Sequence, residues 1–162
     1  MYFKNTKYRN FSTFISRITV GREFFVGQSN RTSIEGIKCL AKTFPNYRVT
    51  PVDIKSFSKT VLHLKSACSM CGIDHIIVGG DMGQLIAKII ESISPNIYKF
   101  TVIADSEAAN CVYVNGVLIR RTREEFPHSA DGLDSIGGKQ IHVNASELSK
   151  IDAALTCCSV LF

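Results

Sequence analysis

The sequence predicts one mixed α/β domain assembled from small repeated modules. Three observations carry that reading. From Gly21 onward, apolar runs that alternate as strands do are interleaved with apolar runs at helical spacing; the succession strand, strand, helix, strand recurs; and Asn115-Gly116 stands between two β-rich runs, the strongest short-range hairpin signal available. Spacing between the recurrences is uneven and their residue identity poor, so the repeat is a weak one. A length of 162 residues fits a single domain, and a hydrophobic fraction of 45% is enough for a real core.

In chain order, REFFVG reads as a short apolar strand, and TSIEGIKCLAKTF places Ile34, Ile37, Leu40, Ala41 and Phe44 on one helical face. YRVTPV returns as a strand, and VLHLKSACSM and HIIVGG read as two more. GQLIAKIIESI is a helix that turns Leu85, Ile86, Ile89, Ile90 and Ile93 toward a core. YKFTVIA is the next strand, and CVYVNGVLIRR is a hairpin about Asn115-Gly116. A helix near PHSADGL, with Pro127 suited to its first turn, leads to the strand QIHVN. SELSKID is a short helical turn before a terminal strand, LTCCSVLF.

The net charge of +5 raises nucleic acid or acidic membranes as partners, but its distribution argues against both. Four of the nineteen Lys and Arg residues (Lys4, Lys7, Arg9 and Arg17) fall in residues 1–20, which hold no acid, leaving fifteen basic against fourteen acidic residues in 21–162. That body carries no basic stripe interleaved with aromatics, so neither nucleic acid nor membrane is the expected partner. Residues 1–20 place Tyr8, Phe11, Ile15 and Ile18 at helical spacing among basic residues and serines, the pattern of a mitochondrial transit peptide; the plainer reading, preferred here, is a short non-homologous basic leader. Cytoplasm is the expected location, with the mitochondrion as its alternative. No uninterrupted apolar run approaches the ~18 residues of a membrane span, and a soluble protein is expected. The six cysteines, with no secretory leader ahead of them, read as mostly reduced thiols.

Adjacent Cys157 and Cys158 pose the chemical question. Side chains on a strand alternate, so one thiol would face a site and the other would face packing, while the plain alternative makes both of them small buried hydrophobes. A reactive thiol needs its thiolate favoured and usually a histidine to move protons. His75 and His142 sit in apolar strands and His128 in a polar helix; His63, flanked by leucines and followed by Lys65, Ser66 and Ser69, suits a packed histidine as well as a catalytic one. Cys68 and Cys71 have C-x-x-C spacing, but no second pair completes a zinc site and no helix begins there to make a thioredoxin-like dithiol.

Several collinear stretches, GREFFVGQSNRTSIEG, LHLKSACSMCG, ANCVYVN, RTREEFPHSA and SELSKIDAALTCCSVL, resemble the C-terminal half of dimethylarginine dimethylaminohydrolase from about Gly21 to Leu161. The resemblance implies a partial pentein fold over residues 21–162, a propeller of ββαβ modules about a central site. It also implies hydrolysis of asymmetric dimethylarginine and monomethylarginine to citrulline and the methylated amine, with no metal or organic cofactor. Carried over residue by residue, it makes Cys157 the nucleophile and His63 the acid/base, gives Arg31 the substrate carboxylate and the Ile151 carbonyl the substrate amine, and leaves Cys158 to packing. Ser66 lies near the reaction centre in the same reading.

Two departures accompany the resemblance. Cys71 stands where the family has a small non-thiol residue, and nothing in the sequence matches the family's N-terminal half with its guanidinium-bracketing acids. Two readings follow. One is a hydrolase whose activity resides in a longer chain. The other is a non-catalytic chain that acts through self-association or through pairing of exposed strand edges with a partner.

Overall fold

A computed structural model describes residues 23–57 and 63–159; the basic leader and the last three residues lie outside them. The elements are β1 (Glu23–Gln28), α1 (Ile34–Thr43), β2 (Arg48–Asp53), β3 (Cys68–Gly72), β4 (His75–Gly79), α2 (Gly80–Ile93), β5 (Lys99–Ile103), β6 (Val112–Val114), β7 (Val117–Arg121), α3 (Pro127–Asp134), β8 (Lys139–Val143) and α4 (Ser146–Ser149). Among the described residues, no helix is long and apolar enough to cross a membrane.

The weak repeat resolves into geometry. β3-β4-α2-β5 and β6-β7-α3-β8 have one topology: an antiparallel hairpin, a crossover helix, and a third strand parallel to the second. β1-α1-β2 supplies a parallel pair with its crossover helix. The three sheets run β1-β2, β3-β4-β5 and β6-β7-β8. At the second hairpin Val114 faces Val117, and Asn115 and Gly116 both take positive φ, 50° and 77°. A two-residue primed turn needs that combination, which asparagine tolerates and glycine adopts freely.

Apolar faces of neighbouring modules meet to form the core. Phe25, Val52, Ile54 and Leu64 pack with Ile76, Val78, Ile86 and Ile90, which joins the first module to the second. Ile77, Ile103, Leu118 and Leu133 join the second to the third. Helix α2 buries Ile86 and Ile90 as its periodicity requires, but Leu85 lies at the flank of that stripe and is 41% exposed. In α1, Ile37 and Leu40 are buried, Ala41 is exposed, and the partly exposed Phe44 ring sits 5.4 Å from that of Phe24.

Two elements differ from the sequence reading. VLHLKSACSM is not one strand: His63 precedes a 3-10 turn at Leu64–Ser66, and the strand starts at Cys68. LTCCSVLF is not a terminal strand either, because Leu155–Cys158 form a 3-10 helix. The apolar, β-branched composition favours a strand, yet the Ala154 carbonyl accepts from both the Cys157 and Cys158 amides at 2.9 and 3.3 Å, which closes the chain into a turn. The strand-alternation argument for the two cysteines therefore falls. Both are exposed, and Cys158 does not pack in the core.

Candidate active site

Each candidate residue is held by a short, locally bonded segment. Beyond β1, Ser29 and Thr32 exchange backbone hydrogen bonds at 3.1 and 3.3 Å, and the Arg31 amide donates to Ser29 Oγ at 3.1 Å. Ser29 and Thr32 are buried while Arg31 projects from the turn, exposed, just before Ser33 caps α1 by accepting from the Gly36 amide. His63 precedes the Leu64–Ser66 turn, whose Leu64 is buried against β1. A Cβ at Gly27 would stand 2.9 Å from that of Leu64, so β1 approaches the histidine segment this closely only because residue 27 is glycine.

His63 is half-buried. Burial first, and then the charges of Lys65 and Arg31, hold its imidazole below the ordinary value and favour the neutral ring. Arg31 and His63, far apart in sequence, are thus electrostatic neighbours. Lys65 is 2% exposed, and burial pushes its ammonium downward while the neighbouring Cys157 and Cys158 oppose that shift. Its amine is an electrostatic neighbour of the Cys157 side chain. Lys65 is thus the link between the two halves of the site, acting on His63 and being acted on by Cys157 and Cys158, while Arg31 adds a second positive charge near His63. Ile151 follows α4 on a turn where its amide donates to the Leu148 carbonyl at 3.1 Å, with its side chain 73% exposed. Among the described residues no hydrogen bond ties it to Arg31, His63, Lys65 or Cys157.

Cys68, Cys71 and Cys111 belong to the core. All six cysteines are free, and burial pushes these three up to about 12, the range of inert thiols. Cys68 and Cys71 donate separately, to the Leu64 and His75 carbonyls. His75 Nε2 lies 2.8 Å from Thr101 Oγ1 across the β4-β5 pair, a packing role, while His142 is exposed on β8.

Sequence reasoning assigned no role to two residues of the site. Lys65 lies inside LHLKS, where a charge flanked by leucines gives no sign of being buried. Asn110 lies inside ANCVYVN and is 3% exposed, with its side chain bonded to both the Lys65 and Thr156 segments.

The arrangement of ββαβ modules has counterparts among solved structures. No family model matches the chain. Dimethylarginine dimethylaminohydrolase of Pseudomonas aeruginosa, solved as a cysteine-to-serine mutant complexed with citrulline, superposes with a TM-score of 0.69 at 23% identity, over 90% of this chain and 53% of that one. SxtG, an amidinotransferase from Microseira wollei, superposes with a TM-score of 0.61 at 20% identity, over 85% and 43% of the two chains. The fold is a partial pentein fold.

Sequence similarity narrows the class. The human protein DDAH2 is 30% identical over 151 residues, 87% of this chain and 52% of that protein. The Pseudomonas aeruginosa dimethylarginine dimethylaminohydrolase is 26% identical over 147 residues, 88% and 53% of the two. The chain is similar to dimethylarginine dimethylaminohydrolases over most of its own length, and it spans about half the length of the curated relatives it matches.

Proposed function

We propose that the chain carries the nucleophile and the acid/base of a hydrolase that converts asymmetric dimethylarginine, and monomethylarginine, to citrulline and the methylated amine. The observation that supports this reading is the electrostatic proximity of the buried Lys65 to both His63 and Cys157, residues from distant parts of the chain. A guanidinium carbon is a poor electrophile because its cation is delocalised, so the reaction needs a thiolate in place and a proton for the departing amine.

In this mechanism neutral His63 takes the Cys157 proton as the cationic substrate arrives, and the thiolate adds to the guanidinium carbon. The carbon–nitrogen bond breaks as the imidazolium returns that proton to dimethylamine, leaving a covalent thiouronium on Cys157. His63, neutral again, deprotonates water and the hydroxide adds; the carbon–sulfur bond breaks as the imidazolium returns its proton to the Cys157 sulfur, and citrulline departs as its hydroxyl proton passes to solvent. The depressed His63 value suits a group that must begin neutral. Arg31 pairs with the substrate carboxylate, for which a guanidinium fork is well shaped, and the Ile151 carbonyl accepts from the substrate amine. The chemistry asks for no metal or organic cofactor.

Labelling with 2-chloroacetamidine followed by peptide mapping tests the assignment. Cys157 is expected to be alkylated and asymmetric dimethylarginine to slow its modification. Labelling confined to Cys158, or labelling of Cys157 indifferent to dimethylarginine, removes Cys157 from the role.

A second reading, association through exposed strand edges, draws on one observation. β5 is the edge of its sheet, and Val102 on it, together with Ile97 before it and Ile73 in the adjoining hairpin turn, is exposed, at 50%, 90% and 67%. Sedimentation of the purified chain at micromolar concentration decides it: a monomer opposes the reading.

A further inference from the structure

We infer that Asn110 is a positioning residue that locks the Cys157 segment against the His63–Lys65 segment. The inference rests on the functional reading above for its purpose, though not for its geometry. Asn110 Nδ2 donates to the Lys65 carbonyl at 2.8 Å and to Thr156 Oγ1 at 2.9 Å, and Asn110 Oδ1 accepts from the Thr156 amide at 3.0 Å. Both amide donors and the amide oxygen are thus engaged, and turning the amide over would set donor against donor and acceptor against acceptor. The two partners are the residue immediately before Cys157 and the residue two beyond His63.

The Asn110 amide bridges the Lys65 carbonyl to Thr156, and Thr156 leads along the chain to Cys157, an electrostatic neighbour of the Lys65 amine. Motion of one segment against the other therefore breaks at least one Asn110 bond. The mounting is rigid as well. Asn110 follows the 3-10 turn Glu107–Ala109, and its own amide donates to the Glu107 carbonyl at 3.1 Å. Ala108, Ala109 and Cys111 around it are buried, and the Cys111 amide donates to Ser69 Oγ at 3.1 Å. Asn110 thereby supplies from the third module's entry what the short Leu155–Cys158 turn lacks: a fixed bearing on the second module.

The experiment compares the wild-type chain with Asn110→Ala, Thr156→Val and Thr156→Ser. Alkylation of each cysteine by iodoacetamide, a neutral reagent, is followed by mass spectrometry alongside amide hydrogen exchange. In the wild type, Cys157 beside the Lys65 amine is expected to react faster than Cys158. In Asn110→Ala the two rates should converge, with Cys157 slowed on the order of tenfold or more by misplacement, and the Thr156 amide should lose protection while β4 amides keep theirs. Thr156→Val, which keeps Asn110 and the backbone bond, should move partway, and Thr156→Ser, which keeps the hydroxyl, should match the wild type. Thr156→Val also serves as the decisive variant if Asn110→Ala does not fold. Equal rates at the two cysteines in the wild type, or an unchanged rate ratio and Thr156 protection in the variants, overturn the inference. A wild-type chain that fails the dimethylarginine protection test but shows these shifts loses the hydrolase reading and keeps the anchor; the converse keeps the hydrolase and loses the anchor.

Discussion

Glu23→Ala is expected to cost about 3 kcal/mol of stability at pH 7, and the figure follows from four hydrogen bonds. Glu23 opens the strand whose other end delivers Arg31, and its side chain is wholly buried. Its carboxylate accepts from Thr50 Oγ1 at 3.0 Å, Tyr98 Oη at 3.0 Å, Asn96 Nδ2 at 2.9 Å and Ser94 Oγ, and lies 3.5 Å from Arg48 Nε. Thr50 and Tyr98 are themselves buried, and a hydrogen bond to a charged group contributes about 1.5–3 kcal/mol, so these two bonds alone amount to about 3–6 kcal/mol. Ser94 and Asn96 are partly exposed and recover water. Relief of the carboxylate's own desolvation brings the expectation to the lower end of that range.

The pH dependence has a definite sign. Burial alone would raise the Glu23 carboxyl, but the bonds from Ser94, Asn96, Thr50 and Tyr98 outweigh it and hold the group below its ordinary value. The stabilisation is therefore full above the unfolded glutamate range and is lost as pH falls through the folded value, so the gap between wild type and Glu23→Ala narrows in acid. Urea unfolding at pH 7 and at pH 3.5 measures it, with exposed Glu91→Ala as a control expected within about 0.5 kcal/mol of wild type. A Glu23→Ala loss under about 1 kcal/mol, or a gap that widens on acidification, refutes the reasoning.

Four further expectations concern the site. His63→Gln should slow chloroacetamidine labelling of Cys157 by roughly the 10²–10⁴-fold of a positioned acid/base, with exposed His142→Gln at the wild-type rate and thermal melts guarding against lost packing; normal labelling in a well-folded His63→Gln variant removes the histidine from the mechanism. Because burial and the Lys65 and Arg31 charges depress His63 below its ordinary 6.5, protonation favours the unfolded chain, and stability traceable to this group should fall as pH drops below that value. Gly27→Ala would set a Cβ 2.9 Å from Leu64 Cβ and 3.0 Å from Ile54 Cδ1, an overpacking expected to cost about 1–3 kcal/mol and to lower the melting temperature; an unchanged melt shows that the segment bearing His63 yields freely. Residues 1–162 alone should release citrulline from dimethylarginine far more slowly than a complete family member, because the charged groups acting on His63 among the described residues, Lys65 and Arg31, are cations and repel a guanidinium; comparable turnover contradicts this.

Elements whose signals are local were legible in the sequence. The Asn115-Gly116 hairpin, the α1 and α2 faces carrying Ile37, Leu40, Ile86 and Ile90, and the alternation that becomes two ββαβ modules all follow from side-chain periodicity and turn chemistry, which act within a few residues. His63 and Cys157 were reached through the resemblance of LHLKS and TCCS, since spacing alone left each as a packed residue. What tertiary structure decided depends on groups far apart in sequence. LTCCSVLF has the composition of a strand, yet it turns because Ala154 takes two amides while Asn110 claims Thr156, and both cysteines end up exposed. Lys65 reads as a solvated charge in LHLKS; it is buried because Leu64 is drawn against β1 at Gly27, which leaves its amine beside Cys157. Residue order records identities along one dimension, whereas burial and hydrogen-bond partnership depend on which segments the packed modules bring within a few ångströms of each other.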